Sequence, residues 1–137
     1  MKIIYDQKLI QYLTLFENMT RVKVKDVFLK GELVYYVVWK KDLAKAIGPK
    51  GMMIKKIENM VKRRLKVVAY SDNVIEFVKD LLYGFDVEKV EENEGIVKIS
   101  CKNVKTKGLL IGRERKNLSG LKDIILRYFK IKDLQVT

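Results

Sequence analysis

The 137 residues carry 29 Lys and Arg against 17 Asp and Glu, a net charge of +12, with no histidine and one cysteine. The basic excess points to a polyanionic partner, nucleic acid first and an anionic membrane surface second. Without imidazole or paired thiols, a Ser-His-Asp triad, a Cys-His pair, the usual zinc sites and an intrachain disulfide are excluded, and no metal or cofactor is expected.

No apolar run reaches the roughly 20 residues of a spanning helix, and the start MKIIYDQKL is too short and polar for a signal peptide, so a cytoplasmic protein without membrane contact is expected. Asp6 reads as the N-cap of a first helix with Leu9, Leu13 and Phe16 on one face and Tyr5 stapled against Ile10. Residues 22–30 alternate as a strand, Gly31-Glu32 is a turn, and residues 33–40, rich in β-branched and aromatic side chains, form a second strand. A short helix over 41–47 runs into GPKG. Met53, Ile54, Ile57, Met60 and Val61 then recur at helical spacing up to Arg64, and residues 65–70 are a third strand.

From Ser71 the order repeats. Val74, Phe77, Val78, Leu81 and Leu82 make a helical stripe capped by Ser71, Asp72 or Asn73. Strands follow over 86–92 and 96–103 around the turn Asn93-Glu94-Gly95. Cys101, in that alternating segment, is expected as a small buried hydrophobe. A short helix over 105–111, the turn GRER, a helix over 117–129 with Leu118, Leu121, Ile125 and Phe129 inward, and a strand over 131–136 complete the chain.

A shift of 64 positions lays Ile47 on Ile111, Gly48 on Gly112, Ile54 on Leu118, Ile57 on Leu121, Met60 on Ile124 and Val61 on Ile125, apolar on apolar throughout. The chain therefore reads as α+β, an α-β-β-α-α-β unit over 1–70 duplicated over 71–137, with almost no linker and the units packed as one rigid body. Residues 1–70 carry a net +10 and residues 71–137 a net +2, but 105–137 alone carry +6. The basic charge thus follows the helix-turn-helix segments.

IGPKGMMI places two glycines three apart between helices, with Lys45, Lys50, Lys55 and Lys56 around them. Such a turn lets a sugar-phosphate strand approach backbone that lacks Cβ atoms, near the unpaired N–H groups of a helix start. This I-G-x-x-G turn in an α-β-β-α-α-β unit resembles the clamp of type II KH domains, which holds about four nucleotides of single-stranded nucleic acid. Two such units without a linker resemble the tandem KH module of NusA transcription factors, in particular the short archaeal NusA-like proteins. The likeness runs from about Asp6 to Val136 and is carried by KDLAKAIGPKGMMIKKIE, VVAYSD and LLIGRERKNLSGL.

The resemblance implies two tandem type II KH domains and a non-enzymatic factor of transcription termination or antitermination acting on nascent RNA. It assigns RNA binding to Ile47, Gly48, Pro49, Lys50, Gly51 and Lys55, and to Gly112, Arg113, Glu114, Arg115 and Lys116 in the second copy. That copy has Arg115 where the second glycine stands, so Arg113, Arg115 and Lys116 side chains would reach phosphates in place of backbone. A solvated basic turn is the alternative there. The chain has room for neither the polymerase-binding nor the OB-type domain of bacterial NusA, so RNA binding is implied more directly than contact with RNA polymerase. A KH-type factor of ribosome assembly or RNA processing remains open as the alternative.

Other features read as structural. Tyr35, Val37 and Trp39 share a strand face opposite Tyr36 and Val38, as core packing first and as a base-stacking platform second. Glu91, Glu92 and Glu94 read as a solvated edge rather than an acid/base or metal site, and no Walker A motif is present. Lys62, Arg63 and Arg64 either extend an RNA track or solvate a helix end.

Overall fold

A computed structural model describes residues 7–137; the expected Asp6 cap and Tyr5 staple lie outside the described residues. The chain is α+β and divides into two compact units, the first ending at Ser71 and the second beginning at Asp72. Each contains a three-stranded sheet, ordered β1-β2-β3 in one and β4-β5-β6 in the other.

In the first unit α1 (Gln7–Thr20) leads to β1 (Val24–Lys30), β2 (Leu33–Trp39), α2 (Leu43–Ile47), α3 (Met52–Val61) and β3 (Arg64–Tyr70). The strand β1 starts two residues later than the alternation suggests, because side chains hold the connection. Thr20 Oγ1 accepts from Val22 N at 3.2 Å, and Glu17 Oε2 accepts from Val24 N at 2.8 Å. β1 pairs antiparallel with β2 through a turn at Gly31 (φ 60), and β3 pairs parallel with β2, so α2 and α3 form the crossover between the parallel strands.

Alternation on β2 sends Val34, Tyr36 and Val38 into a core shared with Tyr12, Phe16, Ala46, Ile57 and Leu65. The Tyr36 ring stacks on Phe16 with centroids 4.1 Å apart, and its hydroxyl donates to the Tyr12 carbonyl at 3.1 Å. Burial, reinforced by Tyr12, drives the Tyr36 phenol far above its ordinary range. On the opposite face Val37 is buried and Tyr35 stacks on Phe28, but Trp39 stays 40% exposed, edge-on to Tyr70 at 5.0 Å with Lys25 Nζ over both rings. The expected core role thus holds for Val37 and not for Trp39.

The second unit runs α4 (Val74–Leu81), β4 (Val87–Asn93), β5 (Ile96–Cys101), α5 (Val104–Ile111), α6 (Lys116–Leu126) and β6 (Asp133–Val136). Asn73 caps α4 by accepting from Glu76 N at 3.0 Å, and Asn103 caps α5 by accepting from Thr106 N at 2.8 Å. That second cap ends β5 at Cys101 rather than at 103. Glu94 (φ 52) and Gly95 (φ 85) form a two-residue hairpin turn with both central residues at positive φ. Phe77, Val78, Leu81, Val97, Ile99, Leu118, Ile125 and Leu134 are buried, with Phe129 against Phe77 at 5.3 Å although α6 has already ended.

Two further expectations are corrected. α3 stops at Val61, not Arg64, because Lys62 turns left-handed (φ 58) while its N–H still bonds Glu58 O, and Met60 is 57% exposed. Cys101 is half-buried rather than sealed in the core; partial burial still raises its thiol pKa above the ordinary value.

Candidate nucleic-acid interface

The first turn is fixed by the helices on either side. Ala46 anchors α2 and Ile57 anchors α3, both fully buried, so helical periodicity leaves Lys45, Lys50, Lys55 and Lys56 exposed around the turn. Lys45 Nζ reaches back to the Arg21 carbonyl at 3.4 Å. Gly48 (φ 77, ψ 169) ends α2, donating to Ala44 O at 3.0 Å. A 3-10 turn, Pro49–Gly51, follows, with Lys50 at φ 53 and Gly51 at φ 72, and Gly51 N donates to Gly48 O at 3.2 Å.

The two glycines have different tasks. A Cβ on Gly48 would stand 2.9 Å from Met53 Cβ and 3.0 Å from Met53 N, so this position is glycine because α3 passes too close. A Cβ on Gly51 would meet nothing within 4 Å. Inside the fold, Gly51 answers only to its positive φ; the space before it is open, and no side chain caps the start of α3 behind it. Backbone without Cβ, an uncapped helix start and exposed Lys50, Lys55 and Lys56 thus come together at this turn.

The second turn repeats this backbone. Gly112 (φ 74, ψ 176), Glu114 (φ 55, ψ 30) and Arg115 (φ 60, ψ 21) match Gly48, Lys50 (φ 53, ψ 28) and Gly51 (φ 72, ψ 17) closely. The hydrogen bonds recur as well, Gly112 N to Gly108 O at 2.9 Å and Arg115 N to Gly112 O at 3.3 Å. Gly112 is again constrained, since its Cβ would fall 2.6 Å from Asn117 Cγ. Asn117 Nδ2 donates to the Leu109 carbonyl at 2.9 Å and ties the start of α6 to the end of α5. The sequence gives a weak signal for this lock: an amide side chain where the first copy has Met53.

Chemistry separates the copies. Arg115 holds a left-handed conformation that costs an L side chain about 1 kcal/mol, and Glu114 puts a carboxylate where the first turn has Lys50. Arg113, Glu114, Arg115 and Lys116 are all exposed. Arg115 also acts on Asp133, whose carboxyl is held below the ordinary range by the Leu134 backbone N–H first, by Lys122 at 3.3 Å, and by the Arg115 charge.

Of the remaining candidates, Glu91, Glu92 and Glu94 are exposed, Glu91 pairs with Lys89 at 3.4 Å, and no metal-binding acidic cluster occurs among the described residues. Lys62, Arg63 and Arg64 lie at the far end of α3 from the turn. Among the described residues, no helix is long and apolar enough to cross a membrane.

No protein-family model matches the chain. The crystal structure of APE1850 has the same fold, with a TM-score of 0.74 over 97% of this chain and 100% of that one at 23% identity. A probable transcription termination protein NusA from Thermoplasma acidophilum is 21% identical over 98% of this chain and 96% of its own length. One from Halococcus morrhuae is 24% identical over 99% of both, and one from Methanocaldococcus jannaschii is 26% identical over 88% of this chain and 68% of its own. Over nearly its whole length, this chain is thus similar to several curated archaeal proteins named probable transcription termination protein NusA, at 21–27% identity.

Proposed function

We propose that the protein is a single-stranded RNA-binding factor of transcription termination or antitermination, acting on nascent RNA through two tandem type II KH domains spanning 1–70 and 71–137. The observation that carries this reading is Gly51: it forms a helix-helix turn whose Cβ position opens to solvent, beside exposed Lys50, Lys55 and Lys56. A glycine that the fold does not need for space is explained by a partner that does. An RNA phosphate fits, because it takes backbone N–H groups at a helix start and is attracted by the lysines.

Ile47, Gly48, Pro49, Lys50, Gly51 and Lys55 form the principal clamp; Gly112, Arg113, Glu114, Arg115 and Lys116 form a weaker second one. The names of the archaeal relatives support a place in transcription termination. RNA polymerase is a candidate partner and the cytoplasm the compartment of this reading. Nothing in the constellation calls for catalysis.

The test is Gly51→Asp, which adds a Cβ and a negative charge at the open position. Affinity for a single-stranded oligoribonucleotide should fall by about a hundredfold, while thermal unfolding moves by only about 1 kcal/mol for the positive φ. With ~4 to 6 phosphates contacted, log K of the unsubstituted protein should fall against log salt with a slope of roughly −3 to −4. Equal RNA affinity in the folded variant, or tighter binding of duplex than of single strands, refutes the clamp.

A further inference from the structure

At the end of α3 away from the turn, the first unit has a cleft of about 740 Å³, in the range of small-ligand sites. Lys8 from α1, Lys62 and Arg63 from the α3–β3 connection and Arg64 at the start of β3 line it, against the carboxylates of Glu32 and Glu58. Four cations thus face two anions, and Glu58 is held in place, its Oε2 accepting from Leu65 N at 3.0 Å near the start of β3. Lys62 is set at the rim by its left-handed backbone, which stops the helix there. Val61 adds apolar wall, while Tyr12, 7% exposed, adds little.

Several cations gathered in a cleft are the chemistry of a site for the phosphate of a nucleotide. α3 has ten residues and so separates the cleft from the Pro49–Gly51 turn by about 15 Å. A strand held at the turn over about four nucleotides has only a short distance to continue.

We propose that this cleft binds a nucleotide of the same single-stranded RNA, beyond those held at the turn, so that the first unit's footprint exceeds the four of a lone clamp. The proposal rests on the reading of the turn as an RNA clamp. Lys62 and Arg63 hold the phosphate.

The experiment is a titration of the ¹⁵N-labelled full chain, followed by backbone amide shifts, with tetrauridylate, octauridylate and uridine monophosphate. Within the first unit the tetramer should move amides over 48–54 alone, and the octamer should also move those of Lys8, Tyr12 and residues 62–65. The octamer should bind about tenfold more tightly than the tetramer. Lys62→Glu with Arg63→Glu should abolish that gain and keep tetramer affinity within about twofold, whereas Lys79→Glu with Lys102→Glu, an equal charge change elsewhere, should keep the gain.

Cleft amides that ignore the octamer overturn the proposal, as does movement by uridine monophosphate at the octamer's concentration, which would make the cleft a site for free nucleotides. If the octamer moves the cleft amides and not those over 48–54, the clamp reading fails and the continuous footprint with it, leaving the cleft as a separate RNA site. If neither set moves, both are overturned.

Discussion

Gly48 and Gly112 share a backbone conformation, and so do Lys50 and Glu114, and Gly51 and Arg115, no φ or ψ differing by more than 12°. One turn reaches that geometry with a glycine that leaves its outer surface bare; the other reaches it with an arginine strained at φ 60 and a carboxylate at the apex. Duplication has therefore preserved the scaffold and released the surface. Positions that meet the fold's own atoms, Gly48 against Met53 and Gly112 against Asn117, remain glycine in both copies. The position that faces outward does not. A position held by packing and a position the fold leaves open are told apart here by what a Cβ would touch.

The largest effect that sharpens this contrast is on stability. Gly48→Ala should cost about 2 to 3 kcal/mol, adding the clash with Met53 to the positive φ, while Gly51→Ala should cost only about 1 kcal/mol. Equal losses in denaturant unfolding would erase the distinction between the two glycines. Next comes charge reversal. Lys50→Asp should weaken RNA binding about tenfold or more and Arg113→Asp about threefold, measured with one RNA long enough for both turns. A second-turn loss as large as the first would show that the +10 and +2 of the two halves do not rank their affinities.

A smaller effect follows from Arg115→Gly, which removes the left-handed strain and should raise stability by about 0.5 to 1 kcal/mol. A lower melting temperature would mean that the Arg115 side chain contributes more than its backbone costs. The smallest concerns Asp133. Its folded pKa is depressed, so its contribution to stability is complete above the ordinary aspartate pKa and is lost as pH falls through the depressed value. Asp133→Asn should remove that part of the acid dependence, and Arg115→Gly should move the Asp133 titration slightly upward in an NMR pH series.

The sequence pattern carried the element order because each helix and hairpin is locally specified. Phe77, Val78 and Leu81 follow the helical period, and Glu94-Gly95 suits its turn. The glycine spacing also located the first turn, and the register of 64 residues the second. What escaped depends on contacts between distant residues. Tyr12 was not singled out, yet it is buried and takes the Tyr36 hydroxyl on its carbonyl. Met60 fits an apolar register with Ile124 but is exposed where Ile124 is buried, because its facing surface is set by tertiary packing rather than by period. The end of α3 rests on a left-handed Lys62, a conformation that Gly or Asn would have advertised and lysine does not. The open space before Gly51 and the cleft that joins Lys8 to residues 62–64 become visible only in three dimensions.

The parallel pairing of β2 with β3 has a kinetic consequence. The β1–β2 hairpin can zip from its turn, but Leu33 meets Arg64 and Trp39 meets Tyr70 only after the whole crossover is in place, and that crossover is α2, the candidate clamp and α3. Closing such a non-local contact is the slow part of folding for a small mixed sheet. A nascent chain still lacking β3 therefore has a hairpin but no anchored turn. RNA-binding competence should thus emerge in one step with the docking of the third strand, and separately for each unit, since β6 closes on β5 across its own crossover in the same way.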